Sequence, residues 1–129
     1  MAVEIRIHDG VVHVSASDMI DTAAIIDTLE SIARHPDFRP GLSQLIDLAD
    51  VSEFLSTPDG IREVVAWEHA HREMLGQRRC AMVAPDDYMF GMVRMYEMLT
   101  EDKAVEVQVF RKREEAVSWL SDSAGARRG

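Results

Sequence analysis

The stretch that most constrains the fold is residues 44–65, which predict a buried strand, a polar turn and a helix in immediate succession. Residues 45–48 (LIDL) are apolar except for Asp47 and predict a short, largely buried strand. Two adjacent hydroxyl residues, Ser56 and Thr57, follow the strand, and Pro58 suits the first position of a helix. A buried strand that leads into a helix is typical of α/β domains with parallel strands.

The N-terminal segment predicts a β-hairpin. Apolar residues alternate with polar ones over residues 3–8 and again over residues 11–15, and Asp9-Gly10 lies between the two segments. Asp-Gly is favoured in two-residue hairpin turns because both turn positions take positive φ. This turn pairs the two segments so that their apolar residues share one face of the sheet.

The rest of the chain alternates helices with strands. We expect strands over residues 45–48, 79–84 and 105–110, and helices over residues 18–35, 58–76, 87–102 and 114–120. The first helix would be capped by Ser17 or Asp18. The order ββαβαβαβα predicts an α/β fold with a mixed, mostly parallel sheet of about five strands and with helices mainly on one face. Residues 1–121 would form a single domain, and residues 122–129 a flexible C-terminal tail.

Composition bounds the class of protein. A net charge of −9 over 129 residues argues against nucleic acid or an anionic membrane as a standing partner. The single cysteine, Cys80, excludes an internal disulfide framework. The chain shows neither a secretory signal pattern at its start nor an apolar stretch of membrane-spanning length. These features predict a globular domain in the cytoplasm.

The element order, together with residues 47–56 (DLADVSEFLS), resembles the STAS-like domains of the anti-sigma-factor antagonist type. In that family a serine after the strand is phosphorylated by the anti-sigma kinase, and this modification switches partner binding. The resemblance implies a non-enzymatic regulatory module that binds another protein. Residues 35–41, and residues 83–87 together with 91–97, are similar to stand-alone bacterial STAS-like proteins without a known activity.

The candidate phospho-acceptors are Ser56 and Thr57, which occupy the position of the family's regulatory serine. The family typically has Asp-Ser-Ser-Gly before a leucine, whereas this chain has LSTPDG over residues 55–60. A phosphate at this position would lie at a helix N-terminus, where backbone amides and the helix dipole stabilise negative charge. In the alternative interpretation, Thr57 is the N-cap of the helix that begins at Pro58.

A binding rim is predicted where the parallel strands end. The carboxyl ends of the strands meet at one edge of such a sheet, which would bring Ser17, Asp86, Asp87 and Arg111 close to the turn after residue 55. Helix N-termini at this edge suit an anion, but the acidic residues already supply negative charge there. We therefore expect a surface for a protein partner. Asp86 and Asp87 would cap the third helix and complement its dipole.

The predicted third helix is unusually apolar. Its methionines and aromatic residues, among them Tyr88, Met92, Met95 and Tyr96, cover more than the single stripe that a one-sided surface helix needs. Methionine adapts to irregular partners, so the helix would line a pocket for a small apolar ligand or form an interface, including one in a homo-oligomer. A deeply buried core helix is the other interpretation. The pocket gives the alternative function, a carrier or sensor of a small apolar ligand.

We expect no metal, no cofactor and no enzymatic activity. His69 and His71 are two residues apart on a predicted helix and so point to different sides. Cys80 lies within a strand and has no base evident in the sequence. A nucleophile, a base and an oxyanion donor cannot be assembled from these residues, and a glycine-rich phosphate loop is absent from the sequence.

Overall fold

A computed structural model describes residues 2–100 and 105–126 and contains one five-stranded sheet. The strands are β1 (Ala2–His8), β2 (Val11–Ile20), β3 (Ser43–Phe54), β4 (Arg78–Val83) and β5 (Val105–Phe110). The helices are α1 (Thr22–Arg34), α2 (Pro58–Ala70), α3 (Arg72–Leu75), α4 (Asp87–Leu99) and α5 (Arg113–Ala126). β1 is antiparallel to β2 and the other neighbours are parallel. The predicted mixed α/β fold is therefore confirmed.

The order of the strands in the sheet follows their order in the chain, β1 to β5. Each parallel crossover therefore steps in the same direction, and right-handed crossovers that step in one direction place their helices on one face. α1, α2 and α4 occupy that face, where their apolar side chains pack on the strands. α5 follows the last strand and packs on the opposite face. The prediction of helices mainly on one face is confirmed.

The hairpin forms as predicted. Asp9 and Gly10 take φ values of 54° and 75°, and His8 pairs with Val11 across the turn. The apolar residues of the two strands share the face that is turned toward α1, where the buried Val12 and Val14 lie.

The first helix begins later than predicted, and the prediction of a cap at Ser17 or Asp18 was wrong. β2 continues to Ile20, with irregular pairing at Ser17 and Asp18, and Asp18 takes a φ of 64°. The N-cap is Asp21, whose carboxylate accepts a hydrogen bond from the backbone N–H of Ala24 at 2.8 Å. Bulges shift the alternation of buried and exposed residues, and this hid the second half of the strand.

The predicted strand over residues 45–48 is also longer than expected. β3 extends to Phe54 because it remains paired with the extension of β2, well beyond the point where β4 ends opposite Asp47. The two extended strands carry buried apolar residues, such as Val51, that pack on the start of α4.

The predicted helix over residues 58–76 is divided. α2 ends at Ala70 and α3 begins at Arg72. Between them, the His71 ring stacks on Trp67 with ring centroids 4.0 Å apart. Gly76 ends α3 with a φ of 75°, and a Cβ at this position would lie 2.6 Å from the backbone nitrogen of Gly41. A side chain is therefore excluded at residue 76.

The C-terminal helix is longer than the predicted residues 114–120. α5 continues to Ala126, so the backbone of residues 122–126 is helical where a tail was expected. Residues 127–129 and the predicted end of the third helix at 101–102 lie outside the described residues. None of the helices in the described residues is both long enough and apolar enough to cross a membrane.

Candidate functional site

A cavity of about 100 Å³ lies between the sheet and the three helices α1, α2 and α4. Its wall is mostly apolar and includes Val14, Ile46 and Met82 from the strands and Ile25, Val64 and Val93 from the helices. The strand residues reach the cavity because every second residue of β2, β3 and β4 faces the helices. The cavity is partly open to solvent, because most of the residues of α1 that line it are only half-buried. It is larger than the voids of ordinary protein interiors, which seldom exceed a water molecule.

Gln44 is an exception in the apolar wall. It is 2% exposed, it lies on β3 opposite Cys80 of β4, and both residues contribute to the cavity. Its Nε2 atom has no hydrogen-bond partner within the described part of the chain. Leaving a buried donor unpaired costs about 1–3 kcal/mol. The Nε2 atom itself has less than 1 Å² of accessible surface, so the amide has to turn toward the cavity before it can meet a partner there.

A buried polar network forms one end of the cavity. Glu68 of α2 accepts a hydrogen bond from the Tyr96 hydroxyl of α4 through one carboxylate oxygen, and the other oxygen pairs with the guanidinium of Arg78 at the start of β4. All three side chains are buried. Burial, and then the Glu68 carboxylate, raise the pKa of Tyr96 well above its ordinary value. The hydroxyl therefore stays protonated and remains a donor.

The thiol of Cys80 also faces this cavity. Burial raises its pKa to about 12, so the thiol stays protonated at neutral pH and does not supply a nucleophilic thiolate. Within residues 2–100 and 105–126, no group of three or more His, Cys, Asp and Glu residues could hold a metal ion.

The two hydroxyl residues after β3 lie in different environments. Ser56 is 3% exposed, and its Oγ lies 2.6 Å from the Oγ1 of Thr22. Thr57 is exposed and caps α2, since its Oγ1 accepts a hydrogen bond from the N–H of Gly60 at 3.0 Å. The interpretation of Thr57 as an N-cap is confirmed. Phosphorylation at either residue stays a prediction, and at Ser56 it requires the contact with Thr22 to open.

The predicted rim residues fall into two places. Arg111 donates hydrogen bonds to the Asp87 carboxylate at 2.5 Å and to the Pro85 carbonyl at 3.0 Å, beyond the ends of β4 and β5. Asp86 caps α4 by accepting from the N–H of Met89 at 3.0 Å. Ser17 lies within β2, opposite Asp50 of β3. The charges of Arg111 and Asp87 thus neutralise each other at the rim.

Comparison with known proteins assigns the fold to a family. Residues 11–121 match the model of the SpoIIAA-like family. The chain belongs to the SpoIIAA-like family. A similar solved structure is that of an uncharacterised protein of the DUF3478 family from Shewanella loihica PV-4, described as having a SpoIIAA-like fold. The two sequences are 16% identical, and the match covers 92% of each chain with a TM-score of 0.57. This similarity supports the fold alone. No curated protein matches the chain.

The helix that the sequence predicted to be unusually apolar is α4, and one part of its surface lines the cavity of this SpoIIAA-like domain. Met92 and Tyr96 lie in the cavity wall. Met95 packs against the apolar cluster beside it. Tyr88, in the first turn of α4, is 59% exposed and belongs to the outer surface. The helix is thus partly core, partly cavity wall and partly surface.

Sequence reasoning missed Gln44 and Glu68 as site residues of the SpoIIAA-like domain. A signal for Glu68 was present, because it follows Ile61 and Val64 at helical spacing and so extends the buried stripe of α2. A carboxylate in such a stripe needs a buried partner. Gln44 stands at the start of an apolar run, where a polar residue looks like the end of a strand.

Proposed function

We propose that this SpoIIAA-like domain is a non-enzymatic carrier or sensor of a small, largely apolar ligand that binds in the cavity between the sheet and α1, α2 and α4. The observation that supports this function is the apolar space between the sheet and α1, α2 and α4. A dry engineered cavity of roughly 150 Å³ accepts benzene, so a space of about 100 Å³ suits a molecule of about that size or slightly smaller.

The position of the cavity gives the ligand a means of affecting the whole domain. A bound molecule would contact Ile25 of α1, Val64 of α2 and Val93 of α4 at once, as well as the strands beneath them. A ligand that binds only the folded state stabilises it in proportion to the logarithm of its concentration over Kd. Because a molecule in the cavity would contact three helices and the sheet, its binding would hold these elements together more firmly. A partner protein can detect a change of this kind.

Benzene is a suitable first probe. We expect it to raise the Tm of the wild-type protein and to shift NMR resonances of the cavity methyl groups. Val64→Phe and Ala16→Leu fill the space from a helix and from a strand, and both should abolish the effect. Val117→Phe is a matched control, because Val117 is exposed on α5 at the opposite face. The proposal fails if saturating benzene changes neither Tm nor the resonances of the wild-type protein.

The natural ligand can be sought in protein that is purified from the cells that produce it. Native mass spectrometry of protein purified from its source should show an added mass that denaturation releases. An unmodified mass in every preparation would count against a carrier function.

We propose binding of a protein partner in the cytoplasm, at the turn after β3, as a second function. Two exposed apolar side chains support it: Met19 is 52% exposed and Leu55 is 49% exposed. Both residues flank the ends of the extended strands: the N–H of Leu55 donates to the carbonyl of Ile20, the residue after Met19, at 2.7 Å. Exposed apolar patches often mark interaction sites. The partner would be another protein or a second copy of this chain.

Charge at this turn tests the second function. Thr57→Asp places a carboxylate on an exposed N-cap, where aspartate is tolerated, and it should change the affinity for a captured partner. Ser56→Asp would also disrupt the buried contact with Thr22, so Thr57→Asp is the more informative variant, with Thr57→Ser as its control. Unchanged affinity in both aspartate variants argues against a phosphorylation switch, and the solution mass reports whether a second copy binds.

A further inference from the structure

We propose that the cavity selects ligands that carry a neutral hydrogen-bond acceptor, such as the carbonyl of a small ketone, ester or amide, and that Gln44 donates to this acceptor. This inference rests on the proposed function, because it requires that the cavity holds a ligand. It adds the chemical class of the ligand and names the side chain that recognises it.

The first step concerns the donor. The Nε2 of Gln44 is buried and has no partner in the described residues, although Gln44 lies in the wall of an open volume. Nearly all buried polar groups in proteins are hydrogen-bonded, so the partner of this amide is to be sought in the cavity itself. Because Nε2 has less than 1 Å² of accessible surface, the Gln44 side chain would turn about its own bonds into the cavity, where an acceptor atom of a bound molecule would satisfy it.

A second step compares a ligand with water. A buried water typically makes hydrogen bonds to about three polar groups. Two other polar groups of the wall are already engaged: the Thr28 hydroxyl donates to the carbonyl of Ala24 at 2.8 Å, and the Glu68 carboxylate binds Tyr96. The Cys80 thiol offers a water only a weak S–H donor. An apolar molecule with one acceptor fits these surroundings better, because it satisfies Gln44 and covers the apolar wall at the same time.

A third step sets the charge of the ligand. Glu68 is one of the residues that line the cavity. Its ion-pair partner Arg78 is not among the lining residues in the described part of the chain. A carboxylate on the ligand would face a like charge in a space of low dielectric. An ammonium group would lose its hydration, and the Glu68 carboxylate that could compensate it is already paired with Arg78. An uncharged acceptor avoids both penalties.

A matched pair of probes tests the inference. Cyclopentane and cyclopentanone have about the size that the cavity accepts and differ by one carbonyl group. Both are titrated into isotopically labelled protein, and NMR yields the Kd of each together with the resonances of the Gln44 side-chain amide. In the wild-type protein we expect cyclopentanone, but not cyclopentane, to move these amide protons downfield.

The variant Gln44→Leu removes the donor and keeps a similar volume. We expect it to raise the ratio of the cyclopentanone Kd to the cyclopentane Kd by about five-fold, since one hydrogen bond is lost from one probe only. Thr28→Val is the control: its hydroxyl also lies in the wall but is already bonded, so the ratio should stay at the wild-type value. Gln44→Met provides a second apolar replacement if Gln44→Leu does not fold.

The outcomes separate this inference from the function on which it rests. If cyclopentane binds and the Kd ratio is the same in the wild-type and Gln44 variants, the inference is overturned and the ligand-binding function stands. If neither probe binds, the proposed function is overturned and the inference with it. Binding of cyclopentanecarboxylate that equals or exceeds that of cyclopentanone would also overturn the inference, because it contradicts the exclusion of a second carboxylate.

Discussion

The two faces of the sheet use alternate residues of the same strands, yet they are packed in different ways. On the α5 face, small residues meet: Ala81 of β4 and Ala116 of α5 are both 0% exposed, with Leu45 and Leu120 beside them. On the opposite face, three helices meet over larger and partly polar side chains, and a cavity remains among them. Small residues let α5 approach the sheet closely on its face. Because the same strands serve both faces, the cavity arises from the side chains and helices of its own face and not from the backbone of the strands.

The largest difference between the faces should come from the polar network of the cavity face. We expect Glu68→Gln to lower the free energy of unfolding by about 3–5 kcal/mol, because it leaves the buried charge of Arg78 without a counter-charge. Urea denaturation measures this loss. The control is Glu63→Gln on the same helix, which removes an exposed carboxylate and should change stability by less than about 0.5 kcal/mol.

The double variant Glu68→Leu with Arg78→Leu removes both charges and should recover most of the stability lost in Glu68→Gln. If Glu68→Gln costs less than about 1 kcal/mol, the network does not hold α2 and α4 to the sheet, and the proposed contrast between the faces is wrong.

Adjacent residues of β4 give a direct comparison of the two faces. Ala81→Leu adds atoms to the close-packed α5 face and should cost about 1–3 kcal/mol. Cys80→Leu adds atoms on the cavity side, where space is available, and should change stability by less than about 1 kcal/mol. Thermal and urea denaturation of both variants provide the measurement. Equal costs would mean that the cavity cannot accept a larger side chain.

A last expected effect is confined to alkaline pH and belongs to the cavity face. The pKa of Cys80 is raised from 9.0 to about 12 in the folded protein, so between these values the unfolded chain loses this proton and the folded chain keeps it. Stability is unaffected by this group below pH 9 and falls by about 1.4 kcal/mol per pH unit as the pH rises further.

Cys80→Ala should make the decline between pH 9 and pH 10 shallower by up to this amount, whatever its effect on stability at neutral pH. Urea denaturation at a series of pH values measures both slopes. Parallel slopes in the wild-type and Cys80→Ala proteins would show that Cys80 titrates in the folded state as it does in the unfolded chain.

Local signals in the sequence predicted much of the fold. Asp9-Gly10 fixed the hairpin and its register, and Thr57-Pro58 marked the start of α2, because turns and caps depend on a few neighbouring residues. The length of β2 could not be predicted, since its bulge at Asp18 breaks the alternation and is maintained by pairing with β3.

The cavity could not be predicted from the sequence either. Seven elements enclose the space and contribute side chains to it. The volume of the cavity is the part of that space that those side chains leave unfilled. The apolar helix indicated a pocket or an interface, and Met92 and Tyr96 do reach the cavity. The roles of Gln44 and Arg78 depend on residues distant in sequence, so a local pattern contains no signal for them.

The agreement between strand order in the sheet and strand order in the chain has a consequence for synthesis on the ribosome. Each new strand can pair with the edge left by the preceding one, and no strand has to enter between two that are already paired. The apolar face that β2, β3 and β4 turn toward α1 and α2 nevertheless stays incompletely covered until residues 87–99 have emerged and formed α4. The interval between the synthesis of β4 and that of α4 is therefore a stage at which the nascent chain is prone to aggregate.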